Sequence, residues 1–341
     1  MSDAATPYAS TTDWPTLAAR LRSASSVVLL SHRKPDGDAI GALASAWRIL
    51  EGVVPDRRVW IVGPADPSLL EVVPEVPMHH AETGPPEDVE PEVILVLDTG
   101  AWAQLEPLDG WIRERRDRVV GIDHHARGDD VAPMRIVDSA SASTTCMLLH
   151  LADALEVPIG RDLAESLLLG LATDTGWFRH SNADAAAFRV AARLLEAGAR
   201  KDRLYQMVEE THRPARLALA ARALASLRYA RGGEVAIQVL APADFTETGG
   251  GAEDTVGLVN VPMAVGEVRI SIMATEPDHG TTKLSFRGKP AEGCWQDADV
   301  NAVAGHYGGG GHRFAAGGRI HASMPEAIDR LVADLEAMPS L

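Results

Sequence analysis

Short, unbroken apolar runs punctuate the first half of the chain, and each stops abruptly on polar residues. Val27-Val28-Leu29-Leu30, residues 92–97 and Val119-Val120-Gly121-Ile122 have the length and continuity of strands buried on both faces, and residues 58–63 read as a further strand. Between them, residues 14–24, 39–51, 111–118, 145–156, 162–172 and 183–197 read as helices. Strand and helix alternate throughout, which predicts an α/β fold, a mostly parallel sheet with helices on both faces. Residues 1–13, rich in Ser, Thr and Ala, read as a flexible lead-in. Residues 69–80 read as a Pro-broken loop or short helix, and 83–91 as a turn-rich connection. A long Arg- and Ala-rich helical stretch follows at 201–229, and the pattern changes after Gly232-Gly233. Strands at 234–240, 267–274 and 282–287, with helices near 253–260, 300–306 and 324–338, predict a smaller α+β C-terminal domain. The expected boundaries are 1–200, a helical linker at 201–232, and 233–341.

The polar residues that stop the strands carry the chemistry. The first strand runs into His32-Arg33-Lys34-Pro35-Asp36-Gly37-Asp38, the third into Asp98-Thr99-Gly100, and the fourth into Asp123-His124-His125. Carboxyl ends of parallel strands are where ligands bind in open α/β sheets. Imidazole together with carboxylate suits a divalent transition metal. Each group also has an ordinary reading: Asp38 as a helix N-cap, Asp98 as a cap, the His pair as a surface turn. Residues 138–145, with Ser143 and Thr144, read either as a phosphate site at a helix N-terminus or as a capping region. His79-His80, between Pro77 and an acidic loop, reads as an exposed pair without a ligand role. The four-glycine run at 308–311, closed by His312 and Arg313, reads as an anion contact in preference to a linker.

Composition narrows the classes. A net charge of −16 over 341 residues argues against a broad surface for coating long duplex DNA, but not against a small nucleotide held locally by metals. Two cysteines, Cys146 and Cys294, cannot build a disulfide framework and fit a reducing, cytoplasmic setting. No apolar run approaches membrane-spanning length, so no membrane partner is expected. The N-terminal residues show no basic-then-apolar signal pattern.

Taken in order, His32-x-x-x-Asp36-x-Asp38, Asp98 after an apolar strand, Asp123-His124-His125 and Asp174 resemble the four motifs of the DHH phosphoesterases. Residues 308–318 resemble the signature of the DHH-associated C-terminal domain, and size and motif order resemble the nano-RNase/pAp phosphatase branch. The resemblance spans nearly the whole chain. It implies two divalent ions, usually Mn²⁺: one on His32, Asp36 and Asp98, the other on Asp38, Asp98, His124 and Asp174, with Asp98 bridging. It further implies that Asp123 orients a histidine, that His125 faces the substrate phosphate, and that Arg287, Gly310, Gly311 and His312 contact the substrate. Among these, Asp98, Asp123, His124 and His125 are the expected catalytic set. Two departures stand out: Gly41-Ala42 where many relatives have Gly-Ser, and Ser285-Phe286-Arg287-Gly288 where Ser-Leu-Arg-Ser is common. The second touches the grip on the terminal phosphate.

The resemblance implies hydrolysis of short RNA and dinucleotides such as pApA to mononucleotides, dephosphorylation of 3′-phosphoadenosine 5′-phosphate (pAp), and a homodimer. The rival activities are a RecJ-like single-strand DNA exonuclease and a manganese pyrophosphatase. A non-catalytic nucleotide-binding protein is the rival from another class.

Overall fold

The computed structural model describes residues 8–86, 89–278, 280–289 and 299–338. The chain divides into two compact units, Met1–Thr211 and His212–Leu341.

In the first unit the elements run α1 (Trp14–Arg22), β1 (Ser26–Leu30), α2 (Gly37–Ile49), β2 (Asp56–Ile61), α3 (Pro67–Val72), β3 (Met78–His80), β4 (Val93–Leu97), α4 (Asp109–Glu114), β5 (Val119–Asp123), β6 (Met134–Val137), α5 (Thr144–Ala154), α6 (Arg161–Asp174), α7 (Ala185–Glu196) and α8 (Lys201–Glu209). The strands form one sheet in the order β3-β2-β1-β4-β5-β6, with every pairing parallel. The α/β reading is borne out. Alternate side chains of each strand serve two cores: Val27, Leu29, Val59, Leu95 and Ile122 pack under α1, α2, α5 and α6, while Val28, Leu30, Trp60, Ile94 and Val96 pack against Leu105, Leu108 and Ile112. Double-sided burial is why these strands carry continuous apolar runs.

Strand order reverses between β1 and β4, the kind of position at which open α/β sheets bind ligands beyond the carboxyl ends of their strands. The loops after β1, β4 and β5 therefore open side by side. α2 and α6 approach closely because Gly41 faces the Gly170 backbone; a Cβ at Gly41 would lie 2.7 Å from the Ser166 carbonyl oxygen.

Two short strands depart from the sequence reading. His79 and His80 lie on β3, at the sheet edge and exposed, and Met134–Val137 adds β6. The lead-in also differs: residues 8–11 dock along β6. Thr11 N donates to the Arg135 carbonyl at 2.9 Å, Arg135 N returns a bond to Thr11 Oγ1 at 2.9 Å, and Val137 N donates to Ser10 Oγ at 2.8 Å. Residues 1–7 lie outside the described part.

The helical stretch at 201–229 is two helices. α8 buries Leu204 in the first unit's core, and Pro214 at the first position of α9 (Pro214–Ala225) starts a new helix in the second unit. There the chain continues as β7 (Arg228–Ala230), β8 (Val235–Leu240), α10 (Pro242–Thr248), β9 (Ile270–Asp278), β10 (Thr281–Gly288), α11 (Val300–Gly305), β11 (Gly310–His312), β12 (Ala315–Ile320) and α12 (Met324–Ala337). Two 3-10 turns, Ala252–Thr255 and Leu258–Ala264, replace the helix expected near 253–260. The sheet order is β11-β12-β10-β9-β8-β7, antiparallel except for β8–β9. Ile237, Ile272 and Phe286 face α12 residues such as Leu331, and Met273 and Leu240 face Leu219 of α9. This is the predicted smaller α+β unit. No helix among the described residues is long and apolar enough to cross a membrane. Cys294 lies outside the described residues; Cys146 is buried, and burial pushes its thiol up to about 12, which leaves it inert.

Candidate metal centre

Asp98 follows β4 with φ of 61°, a left-handed conformation that Asp adopts more readily than most residues. It is buried, with 2% of its surface exposed, and its two carboxylate oxygens face different groups. Oδ2 lies 3.4 Å from His32 Nε2, which is 3.8 Å from Asp36 Oδ1. Oδ1 lies 3.5 Å from His124 Nε2 and accepts a bond from Thr144 Oγ1 at 2.9 Å. His124 Nε2 also faces Asp38 Oδ2 at 3.9 Å and Asp174 Oδ2 at 4.0 Å. Three residues, from the loops after β1 and β5 and the start of α5, therefore meet this carboxylate, and Asp36, Asp38 and Asp174 lie against its two histidines, so that one cluster forms around Asp98. Two three-residue groups in it have ligand atoms close enough to hold an ion: His32, Asp36 and Asp98, and Asp98, His124 and His125.

The helix ends assign roles that composition left open. Asp36, not Asp38, is the N-cap of α2; its Oδ1 accepts the amides of Asp38 at 3.1 Å and Ala39 at 3.0 Å. Asp38 instead caps a different helix. Its carboxylate accepts Thr144 N at 2.7 Å and Thr145 N at 3.1 Å at the start of α5. The expected phosphate site on Ser143 and Thr144 is thereby filled from within. Ser143 and Thr144 are fully buried, Ser143 Oγ accepts Cys146 N, and the free amides are bonded to Asp38. A helix N-terminus favours a carboxylate for the same reason it favours a phosphate.

Charge balance bears on what fits here. Burial and the nearby negative charges of Asp98, Asp174 and Asp36 hold the Asp38 carboxyl well above its ordinary range. Asp174 rises to about 6, through burial and the Asp98 and Asp36 charges, against the pull of His124. Burial pulls His32 down, but bonds and charges from Asp36 and Asp98 outweigh it and push its imidazole up to about 10. Crowded carboxylates that resist ionisation, interleaved with imidazoles, are a donor set matched to divalent cations. The histidine tautomer agrees. His124 Nδ1 lies 3.3 Å from the Ser141 carbonyl, so the proton belongs there and the Nε2 lone pair faces the carboxylates.

Asp123 is set apart from the metal groups. Its Oδ1 accepts His125 N at 3.1 Å and His125 Nδ1 at 2.7 Å, and its Oδ2 accepts the Tyr8 hydroxyl at 2.7 Å. The bond to Asp123 is the main reason His125, exposed at the mouth, is raised to about 8. Sequence reasoning missed Tyr8, and also Asn182, whose Nδ2 reaches Asp174 Oδ2 at 3.3 Å. No local pattern marks either.

In the second unit, Arg287 is half-buried on β10, its Nη1 bonded to the Phe286 carbonyl at 2.9 Å, and burial lowers its pKa. The glycine run is no linker. Gly310 and Gly311 pair with β12, and the Gly311 amide donates to Asn301 Oδ1 at 2.8 Å. The side chain of His312 lies outside the described part.

Gly170 in α6 makes the packing around Asp38 testable. A Cβ there would run into Asp38 Oδ1 and the Thr145 side chain. Gly170→Ala gains about 1 kcal/mol of helix propensity, yet overpacking of roughly 1–3 kcal/mol outweighs it. The variant is expected to weaken divalent-cation binding about tenfold or more in a calorimetric titration. Gly160→Ala, with open space around it, should match the parent.

Residues 26–171 match the model of the DHH family, N-terminal domain, so the chain carries a DHH-family domain. Over 310 residues, 90% of this chain and 88% of the relative, it is 27% identical to the bifunctional oligoribonuclease and PAP phosphatase NrnA of Thermus thermophilus. It is 26% identical to the protein of the same name from Bacillus subtilis over 318 residues, 92% and 94% of the two chains. The crystal structure of an exopolyphosphatase-related protein from Bacteroides fragilis has the same fold, with a TM-score of 0.85, 23% identity, and coverage of 95% and 96%.

Proposed function

We propose, from the premise that residues 26–171 are a DHH-family domain in a chain resembling the bifunctional oligoribonucleases and PAP phosphatases, that this protein is a two-metal phosphoesterase acting on short nucleotides. It hydrolyses short oligoribonucleotides and dinucleotides such as pApA to mononucleotides and removes phosphate from pAp. The observation that carries this reading is the division of Asp98 between two sets of donors, His32 with Asp36 on one oxygen and His124 on the other.

His32, Asp36 and Asp98 would hold one ion, and Asp38, Asp98, His124 and Asp174 the second, with Mn²⁺ the expected metal. Paired divalent ions supply an activated water at neutral pH and stabilise charge on attacking and leaving oxygens. The protein's own part is positioning. Asp98 fixes the spacing, the α5 amides fix Asp38, and the Ser141 carbonyl fixes the His124 ring. His125, held at Nδ1 by Asp123, presents Nε2 to the substrate phosphate. In the second unit, Arg287 and the Gly310-Gly311-His312 strand are the proposed substrate contacts.

Product release should be measured from pAp, pApA, a five-nucleotide RNA and a long single-stranded DNA, each with Mn²⁺ and with a chelator. Mn²⁺-dependent turnover of the three short substrates alone is the expected result. Faster turnover of the long DNA would replace this reading with the exonuclease, and no turnover by metal-loaded protein would replace it with a binding protein.

A further inference from the structure

We infer that Tyr8, carried by the N-terminal strap, is a positioning residue for His125, acting through Asp123. Three observations converge on it. First, the phenol is delivered to the centre from the far end of the sequence: Tyr8 Oη donates to Asp123 Oδ2 at 2.7 Å, while Oδ1 of that carboxylate holds the His125 ring at 2.7 Å. Second, the path of the ring is cleared by glycines. A Cβ at Gly100, in the loop after β4, would collide with the Tyr8 hydroxyl, and one at Gly128, beyond His125, would collide with its ring. Third, the strap is fastened independently of the Tyr8 hydroxyl. Ser10 and Thr11 bond to β6, Arg135 Nε donates to the Ala9 carbonyl at 2.9 Å, and the Arg135 guanidinium stands 5.5 Å from the Tyr8 ring centre.

The chemistry of the arrangement is directional. Asp123 is buried, with 1% of its surface exposed, so its oxygens depend on protein donors. Two donors from His125 fill Oδ1, and Tyr8 fills Oδ2. With both oxygens committed, the carboxylate cannot turn about its Cβ–Cγ bond, and the His125 ring is held in one orientation with Nε2 outward. Removing the hydroxyl leaves a buried oxygen unpaired and frees that rotation. Tyr8 touches neither the proposed metal positions nor the reacting phosphate, so it acts on the turnover step through the aim of His125 and leaves substrate binding alone. A loop closed by strap, sheet edge and carboxylate thus becomes part of the centre.

The inference rests on the proposed phosphoesterase reading, and the test separates the two. Tyr8→Phe keeps the ring between Gly100 and Gly128. It is expected to lower kcat on pApA about five- to twentyfold, with KM and the Mn²⁺ half-saturation within twofold of the parent. Combined with Asp123→Asn, it should add nothing to the loss from Asp123→Asn alone. The second readout needs no turnover: the downfield proton resonance of His125 Nδ1–H, assigned by its absence in His125→Gln, should be present in the parent and lost to exchange in Tyr8→Phe. Loss of that resonance supports the inference even if the parent hydrolyses none of the four substrates, an outcome that would sink only the functional reading. An unchanged resonance with unchanged kcat in Tyr8→Phe overturns it, and a lowered melting temperature beside unchanged kcat and resonance overturns it equally, leaving Tyr8 a structural residue.

Discussion

Asp98→Asn should lower hydrolysis of pApA by at least about 10³-fold, a loss of roughly 4 kcal/mol of transition-state stabilisation, while the protein stays folded. The substitution is chosen for its backbone. Asp98 sits at φ 61°, and Asn tolerates this left-handed region about as well as Asp, whereas Ala does not. The amide removes the one carboxylate shared by the His32 side and the His124 side of the centre. It also places an N–H where either His32 or the Thr144 hydroxyl now meets an acceptor. Bound metal, counted by elemental analysis, should fall below two ions per chain. Parent-like turnover with two bound ions would remove Asp98 from the bridging position.

The second large effect is on stability, and its sign follows from the shifted groups. Asp38 and Asp174 are held above their ordinary range, Asp174 at about 6, by burial and by the charges of neighbouring aspartates, Asp98 and Asp36 among them. For a raised carboxyl, the folded state binds its proton more tightly than the unfolded state, so stability is lost as pH rises from near 4 through 6. His32, raised to about 10 by Asp36 and Asp98 against burial, contributes stability that is full below about 6.5 and declines towards 10. Both trends run the same way. Metal-free protein should therefore lose about 2 kcal/mol between pH 5.5 and 7.5, whereas a cation takes the place of these protons. The rise in melting temperature on saturating Mn²⁺ should be larger at pH 7.5 than at 5.5, by roughly 4–8 °C. A rise that is equal at both pH values, or larger at 5.5, would contradict the charge balance drawn for this centre.

How much of this was legible beforehand depended on the range of the interaction. The parallel sheet was legible because double-sided burial writes itself as apolar runs such as Val27–Leu30. β6 was not, because Met134–Val137 is four residues long and Arg135 interrupts it; its place is set by pairing with β5 and by the strap. The break between α8 and α9 turned on Pro214, which composition alone averaged into one helical stretch. Residue type at strand ends marked His32, Asp98 and His124. Which aspartate caps which helix was not marked, since Asp36 caps its own helix and Asp38 reaches one 106 residues away. Tyr8 meets Asp123 across 115 residues, a distance at which no periodicity survives.

The parallel topology of the first unit has a kinetic meaning as well. His32 is in place only after β1 has paired with both β2 and β4, and Asp174 only once the last turn of α6 has packed on α2. Contacts so remote along the chain make a slow-forming topology, and no early fragment of the unit contains all six donors. Negative charge is thus gathered into one place only as the last elements of the unit pack. During synthesis the growing polypeptide passes through its earlier stages without a crowded acidic centre to repel it.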